Sequence, residues 1–202
     1  MQSIENKIIL SINNQGERWA FSKDDFFDLG TDESIIKALY RLNKAGTLRY
    51  IFDGIYDMPK FSKLLNQQLS PDMEEVVLAI ARKNKWVISP TGNFALNILG
   101  LSTQVPGRMI YLSSGSSCSY EYKNQTIQFI QAPLIEIDFK LYESKLLVQA
   151  INALGKEHRI DNDQIKLLSQ KFSSAQKKQI LEDTERTYKW IHEIIVEVCS
   201  YK

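Results

Sequence analysis

Apolar residues recur at helical spacing from the start of the chain. Ile4, Ile8 and Ile12 repeat at i, i+4 and i+8 with Leu10 beside them, which predicts a helix from Ser3 to Asn13 that Gly16 ends. Trp19 and Phe21 lead to Ser22, a side chain able to cap a second, short helix with Asp25 at its third position. Gly30 closes that helix and Thr31 caps a third, with Asp32 and Glu33 in a first turn that favours acids. The third helix is sharply two-faced: Ile35, Leu39 and Leu42 share one side, and Ser34, Lys37, Arg41 and Lys44 the other. Gly46 stops it. "TLRYIF", Asp53-Gly54 and "IYDM" then read as a hairpin, because a two-residue type I′ turn needs positive φ at both central positions.

Residues 60–68 read as a connector. Ser70-Pro71 offers a helix start, with Glu74 and Glu75 near it and Arg82, Lys83 and Lys85 near the end, both signs suiting the dipole. "WVIS" is a short strand, and Pro90 and Thr91 introduce a helix through Leu96 to Leu99 that Gly100 stops. From Arg108 to Phe139 the alternation turns to strands: "RMIYL", "SYEY", "TIQFIQA" and "LIEIDF". Beyond Leu141 the pattern is helical again. Leu146, Leu147, Ala150, Ile151 and Leu154 form one stripe ended by Gly155, Asp161 caps a helix with Ile165 and Leu168, and Ser173 or Ser174 caps another. Tyr188, Ile191, Ile195 and Val198 make a last apolar face. The predicted class is α+β: a winged helix-turn-helix over residues 1–65, then, over residues 66–202, a mixed α/β middle and a helical C-terminal part.

Composition narrows the chemistry. The chain has 202 residues, 44% hydrophobic and 24% charged, an ordinary globular balance with enough length for two small domains. The first residues form no signal peptide, and no apolar stretch approaches a membrane span, so no membrane partner is expected. Two cysteines, Cys118 and Cys199, make no disulfide framework and point to a reducing cytoplasm. Two histidines and two cysteines are too few for a zinc cluster, so no metal site is expected.

The net charge of +1 is uninformative, but its distribution is polarised. Acids dominate residues 17–33 (Glu17, Asp24, Asp25, Asp28, Asp32 and Glu33). Bases dominate 37–60 (Lys37, Arg41, Lys44, Arg49 and Lys60), and a polyanion needs only one positive face. On its own such a helix face is ordinarily just solvated. Between a capped short helix and a tight hairpin, Lys37, Arg41 and Lys44 read instead as groove-facing, with Ser34 and Tyr40 placed to touch bases or sugar. Arg49, assisted by Lys60, is a candidate phosphate contact from the wing.

Other candidates are weaker. Gly92-Asn93 resembles an anion nest but has one glycine and no following Lys-Ser/Thr, so a strand-to-helix junction accounts for it. Cys118 and His158 lack the local signatures of a nucleophile and its base, and the chain is expected not to be an enzyme. His192 falls on the polar side of the last helix, where solvent is expected. Glu136 and Asp138 alternate with Ile135, Ile137 and Phe139 as on a half-buried strand, and two acids alone are a poor cation site.

The stretch "TGNFALNILGLSTQVP" (91–106), with "ARKNKWVISP" before it, resembles the signature of AbiEi-like antitoxins and abortive-infection regulators. Ala81, Arg82, Lys83, Asn84, Trp86, Pro90, Gly92, Ala95, Leu96, Asn97, Leu99, Gly100, Leu101, Ser102, Thr103, Gln104, Val105 and Pro106 match it. "KALYRLNKAGTLRYIFDGIYDMPK" looks like the same family's winged helix, and "INALGK" (151–156) fits its later helical part. The resemblance implies a winged helix that binds double-stranded DNA at inverted repeats upstream of its own operon. It also implies that the rest of the chain counters a nucleotidyltransferase-like toxin, without cofactor or catalysis. Pro90, Gly92, Asn97, Gly100, Ser102, Thr103, Gln104 and Pro106 then carry a structural or antitoxin role. We expect the polar members to tie down the loop after the helix. The sequence departs from the family at the wing, where Asp53 stands in place of a base with Asp57 beyond it, and acid beside phosphate costs affinity. Lys85 also replaces the glycine before Trp86. The alternative is a non-catalytic module whose winged helix binds a protein partner.

Overall fold

The computed structural model describes residues 3–16, 18–104, 108–156 and 160–201. The chain is α+β and falls into two compact units, Met1–Trp86 and Val87–Lys202. The break lies later than the one expected after residue 65. The reason is α3 (Met73–Asn84), which packs on the small sheet of the first unit and is tied to it by ion pairs.

In the first unit α1 (Ile4–Gln15) starts at Ser3, whose hydroxyl accepts from Asn6 N, and ends at Gly16 with φ 103°. Ile8 and Ile12 are buried as the spacing requires, while Leu10 faces solvent. A short strand, β1 (Ala20–Phe21), follows. The 3-10 turn Lys23–Phe26 is capped by Ser22, whose hydroxyl accepts from Asp24 N at 3.2 Å, while Asp25 Oδ2 accepts from Ser22 N at 2.8 Å. Thr31 caps α2 (Asp32–Lys44), which buries Ile35, Ala38, Leu39 and Leu42. β2 (Arg49–Phe52) and β3 (Ile55–Asp57) form the expected hairpin, with Asp53 at φ 47° and Gly54 at φ 72°, both positive as the turn demands. The sheet order is β1-β3-β2, all antiparallel. Its core joins Ile8, Ile12, Phe21 and Phe26 to the buried side of α2.

Residues 60–68 are not a plain connector. They form a second hairpin of β4 (Phe61–Ser62) and β5 (Gln67–Gln68). Nor does Ser70-Pro71 cap α3: Asp72 does, accepting from Glu74 N at 3.1 Å, two residues closer to the apolar stripe. Lys85 ends α3 in the left-handed region at φ 56°.

The second unit holds a four-stranded sheet of β6 (Ile88–Pro90), β7 (Met109–Ser113), β8 (Cys118–Tyr122) and β9 (Gln125–Gln131) in the order β6-β7-β9-β8. β9 lies between β7, to which it is parallel, and β8, with which it forms a hairpin. α4 (Gly92–Ile98) joins β6 to this sheet's loops, so Gly92-Asn93 is a strand-to-helix junction. "LIEIDF" is not a strand. Pro133 opens one helical turn, α5 (Leu134–Ile137), that buries Ile137 and leaves Leu134 and Ile135 exposed. Short apolar runs do not separate helix from strand by period alone.

α6 (Tyr142–Leu154), α7 (Asn162–Ser169), α8 (Ser174–Thr184) and α9 (Lys189–Ser200) surround one core built on Leu147, Ile151, Leu168, Ile180, Ile191 and Ile195. Asp161–Gln164 and Ser173–Gln176 close capping boxes at the expected caps. Tyr188 is not part of the last apolar face. It precedes α9, exposed, with its hydroxyl donating to Glu136 Oε1 at 2.9 Å, and that bond pushes its pKa up. His192 is half-buried rather than solvated, Nδ1 lying 3.3 Å from Thr184 Oγ1. Among the described residues no helix is long and apolar enough to cross a membrane.

Candidate nucleic-acid interface

The candidate residues lie mostly on α2, whose buried side fixes the orientation of the other. With Ile35, Leu39 and Leu42 in the core, Lys37, Tyr40, Arg41 and Lys44 are all exposed. The Lys37 side chain is 61% exposed and pairs with Glu33 one turn back; that of Arg41 is 69% exposed and donates from Nη1 to Glu5 Oε1 at 3.0 Å. Lys44 Nζ sits 5.3 Å from the centre of the Tyr40 ring. These are surface pairs that solvent screens, so the cations remain exchangeable. Glu5 itself is held below the usual carboxylate range, first by its own backbone N–H and then by the Arg41 guanidinium.

Ser34 does not join this face as a contact residue. Its hydroxyl turns back to donate to Thr31 O at 2.7 Å, completing the helix cap. Arg49 also leaves the set. Its Nε donates to Asp57 Oδ1 at 2.9 Å, Nη2 to Asp57 Oδ2, and Nη1 to Leu69 O at 2.8 Å, so every guanidinium nitrogen faces a protein oxygen. The two side chains are only 18% and 4% exposed, a bidentate clamp inside the unit. The same geometry answers the expectation about Asp57: its charge is buried against Arg49 and faces no phosphate. Asp53, at the hairpin tip, is engaged by Lys83 Nζ at 2.8 Å. Lys60 is half-buried beside a small cleft lined by Ile12, Trp19, Met58 and Pro59.

α3 packs on β1, β3 and the 3-10 turn. Arg82 donates to Asp25 Oδ1 at 2.7 Å and to Ala20 O at 2.6 Å while lying over Trp19, so it links the 3-10 turn, β1 and α3. By local spacing Arg82 and Lys83 suit the dipole of their own helix, and they also fall in the stretch resembling AbiEi-like regulators. Their partners lie 57 and 30 residues away, beyond any local signal.

The motif residues of the second unit have structural surroundings. Pro90 is buried at the end of β6. Gly92 lies so close to α6 that an added Cβ would overlap the Ala153 methyl and stand 2.8 Å from Gln149 O. Asn97 Nδ2 donates to Ser102 O at 3.3 Å and to Gln104 O at 3.0 Å, and Ser102 Oγ accepts from Gln104 N at 3.2 Å. Gly100 ends α4 at φ 74°, and Thr103 is exposed. The loop is thus tied down by Asn97, Ser102 and Gln104, while Val105 and Pro106 lie outside the described residues.

Cys118 is half-buried on β8, and His158 lies outside the described residues. Among the described residues no three His, Cys, Asp or Glu side chains gather as a metal site, and Glu136 is engaged by Tyr188. Burial pushes the Cys199 thiol up, away from nucleophilic use.

No curated protein matches the chain. One family model matches residues 7–180, spanning α1 to α8, and the chain therefore belongs to the family of unknown function DUF6088.

Proposed function

We propose that the first unit is a winged helix-turn-helix that binds double-stranded DNA. In this reading α2 lies in the major groove, β2–β3 is the wing, and the protein is an antitoxin-type regulator acting in the cytoplasm. It represses its own operon at inverted repeats, and its second unit counters a nucleotidyltransferase-like toxin. One observation carries the DNA part: a helix with Lys37, Tyr40, Arg41 and Lys44 exposed on one side stands between a capped turn and a hairpin, over a β1-β3-β2 sheet. The strand between the first and second helical pieces, paired with the far strand of the wing, is the arrangement a winged helix needs to hold its recognition helix outward. The antitoxin part is supported by the resemblance of residues 81–106 to AbiEi-like regulators.

A fluorescence-anisotropy titration against the protein's own upstream DNA tests this reading. The expected outcome is submicromolar binding that weakens steeply as salt rises, because cations on α2 displace counterions from phosphate. Lys37→Ala/Arg41→Ala/Lys44→Ala should lose most of that affinity and lower the salt slope by about 3. Unchanged binding by the triple variant would remove α2 from the groove. Salt-insensitive capture of a protein by the exposed Ile36 and Tyr40 would favour an interaction module instead.

A further inference from the structure

The β4–β5 hairpin has no counterpart in a minimal winged helix, and three apolar side chains within eight residues of chain are exposed on it. Phe61 is 59% exposed, Leu64 94% and Leu65 57%. The two leucines occupy the turn between the strands, where Gly, Asn, Asp or Ser ordinarily stand. Their apolar surface contributes nothing to the chain's own core. The base of the hairpin, by contrast, is firmly held. Leu69 N donates to Lys60 O at 2.8 Å, and Leu69 O takes a hydrogen bond from Arg49, itself locked to Asp57. Ser62 Oγ accepts from Leu65 N and shapes the tip. The result is a small arm, anchored at its root and apolar at its end.

We propose that this arm is a self-association surface whose occupant is the same arm of a second copy of the chain, the two meeting about a two-fold axis. Charge selects among the occupants. Lys63 is the only charged residue from Phe61 to Leu69, too little to hold a phosphate backbone and too little to repel an identical arm. An isologous contact sets a patch against itself, so a nearly neutral apolar surface suits it where a strongly charged one does not. Topology agrees: the sheet has two strands only, and such a hairpin is marginal in water until further strands or a packed face join it. Pairing two arms makes four strands and covers Phe61, Leu64 and Leu65 at once. The arm belongs to the same compact unit as α2, so a dimer built on it carries two copies of α2 related by a two-fold, the symmetry of an inverted-repeat operator. That last link rests on the DNA-binding reading; the self-association itself does not.

Sedimentation equilibrium on the full chain, with and without Leu64→Ser/Leu65→Ser, decides it. The expected result is a wild-type dimer with micromolar dissociation constant and a variant at least about tenfold weaker. Both proteins should show the same circular dichroism and, well below the dimer dissociation constant, the same thermal midpoint, since the substituted side chains are exposed. A wild type that stays monomeric at high concentration, or a variant that dimerises as well as wild type, overturns the proposal. DNA with one or two half-sites separates this from the DNA-binding reading. A variant that keeps single-site affinity but loses cooperativity on the double site supports both. A monomeric wild type that still binds its upstream DNA sinks only the arm. A dimer dependent on Leu64 and Leu65 that ignores DNA sinks only the DNA reading.

Discussion

At the scale of single residues, Arg49 shows how a partner changes a role. In sequence it is a base on a wing strand; in the structure it is a buried clamp joining β2, β3 and the root of the second hairpin. Arg49→Ala leaves Asp57 charged, buried and unpaired, and the expected cost is about 3 kcal/mol, measured by urea unfolding. Single-site DNA affinity of the fraction still folded should hardly change. Glu5 gives a second prediction. Its pKa is lowered in the fold, so its stabilising effect is present above the unfolded value near 4.5 and lost as pH falls through the lower folded value. Glu5→Gln should therefore destabilise at neutral pH, with the difference from wild type closing on acidification in unfolding curves taken across that range. The same change frees Arg41 from an acid, and under the proposed DNA-binding function affinity for DNA should tighten by about 1.5- to 5-fold, the worth of one surface pair.

At the scale of elements, caps were far easier to read than edges. Ser22 with Asp25, Thr31, Asp161 with Gln164 and Ser173 with Gln176 all cap where local spacing places them. A cap is satisfied by a backbone N–H two or three residues away, so its signal lies within one turn of sequence. β1 is two residues long and exists because Ala20 and Phe21 meet Asp57 and Tyr56, which no local pattern encodes. The "LIEIDF" run failed for a related reason. β9 already has β7 and β8 as neighbours, and the alternation of Ile135, Ile137 and Phe139 fits one helical turn after Pro133 equally well. Gly92 makes a prediction at this scale. The contact between α4 and α6 leaves no room for a methyl group, so Gly92→Ala should destabilise the second unit by about 1–3 kcal/mol in thermal unfolding.

At the scale of the whole molecule, two units with separate cores follow from two separate apolar sets, one gathered around α2 and the other around α6. Arg49 meets Asp57 and Leu69 while Gly92 meets Ala153 and Gln149, so with no shared partner Arg49→Ala and Gly92→Ala should add within about 0.5 kcal/mol in urea unfolding. The polarised charge of the first sixty residues was visible in the sequence, and it placed the candidate cations on α2. It did not reveal that Lys83 and Arg82 of α3 would answer the acids Asp53 and Asp25, leaving the bases of α2 as the exposed set on their helix.

What local pattern settled was the class of most helices, the Asp53-Gly54 hairpin and the outward direction of Lys37, Arg41 and Lys44. Each depends on interactions within a turn or two, or on the rule that one apolar side of a helix turns inward. What waited for long-range packing was the partner of each charge, the order of the strands, the withdrawal of Ser34 and Arg49 from the candidate interface, and the apolar arm at Leu64 and Leu65. Those outcomes are set by groups many residues apart whose meeting costs chain entropy and is repaid only when the whole core closes, so no short window of sequence contains them.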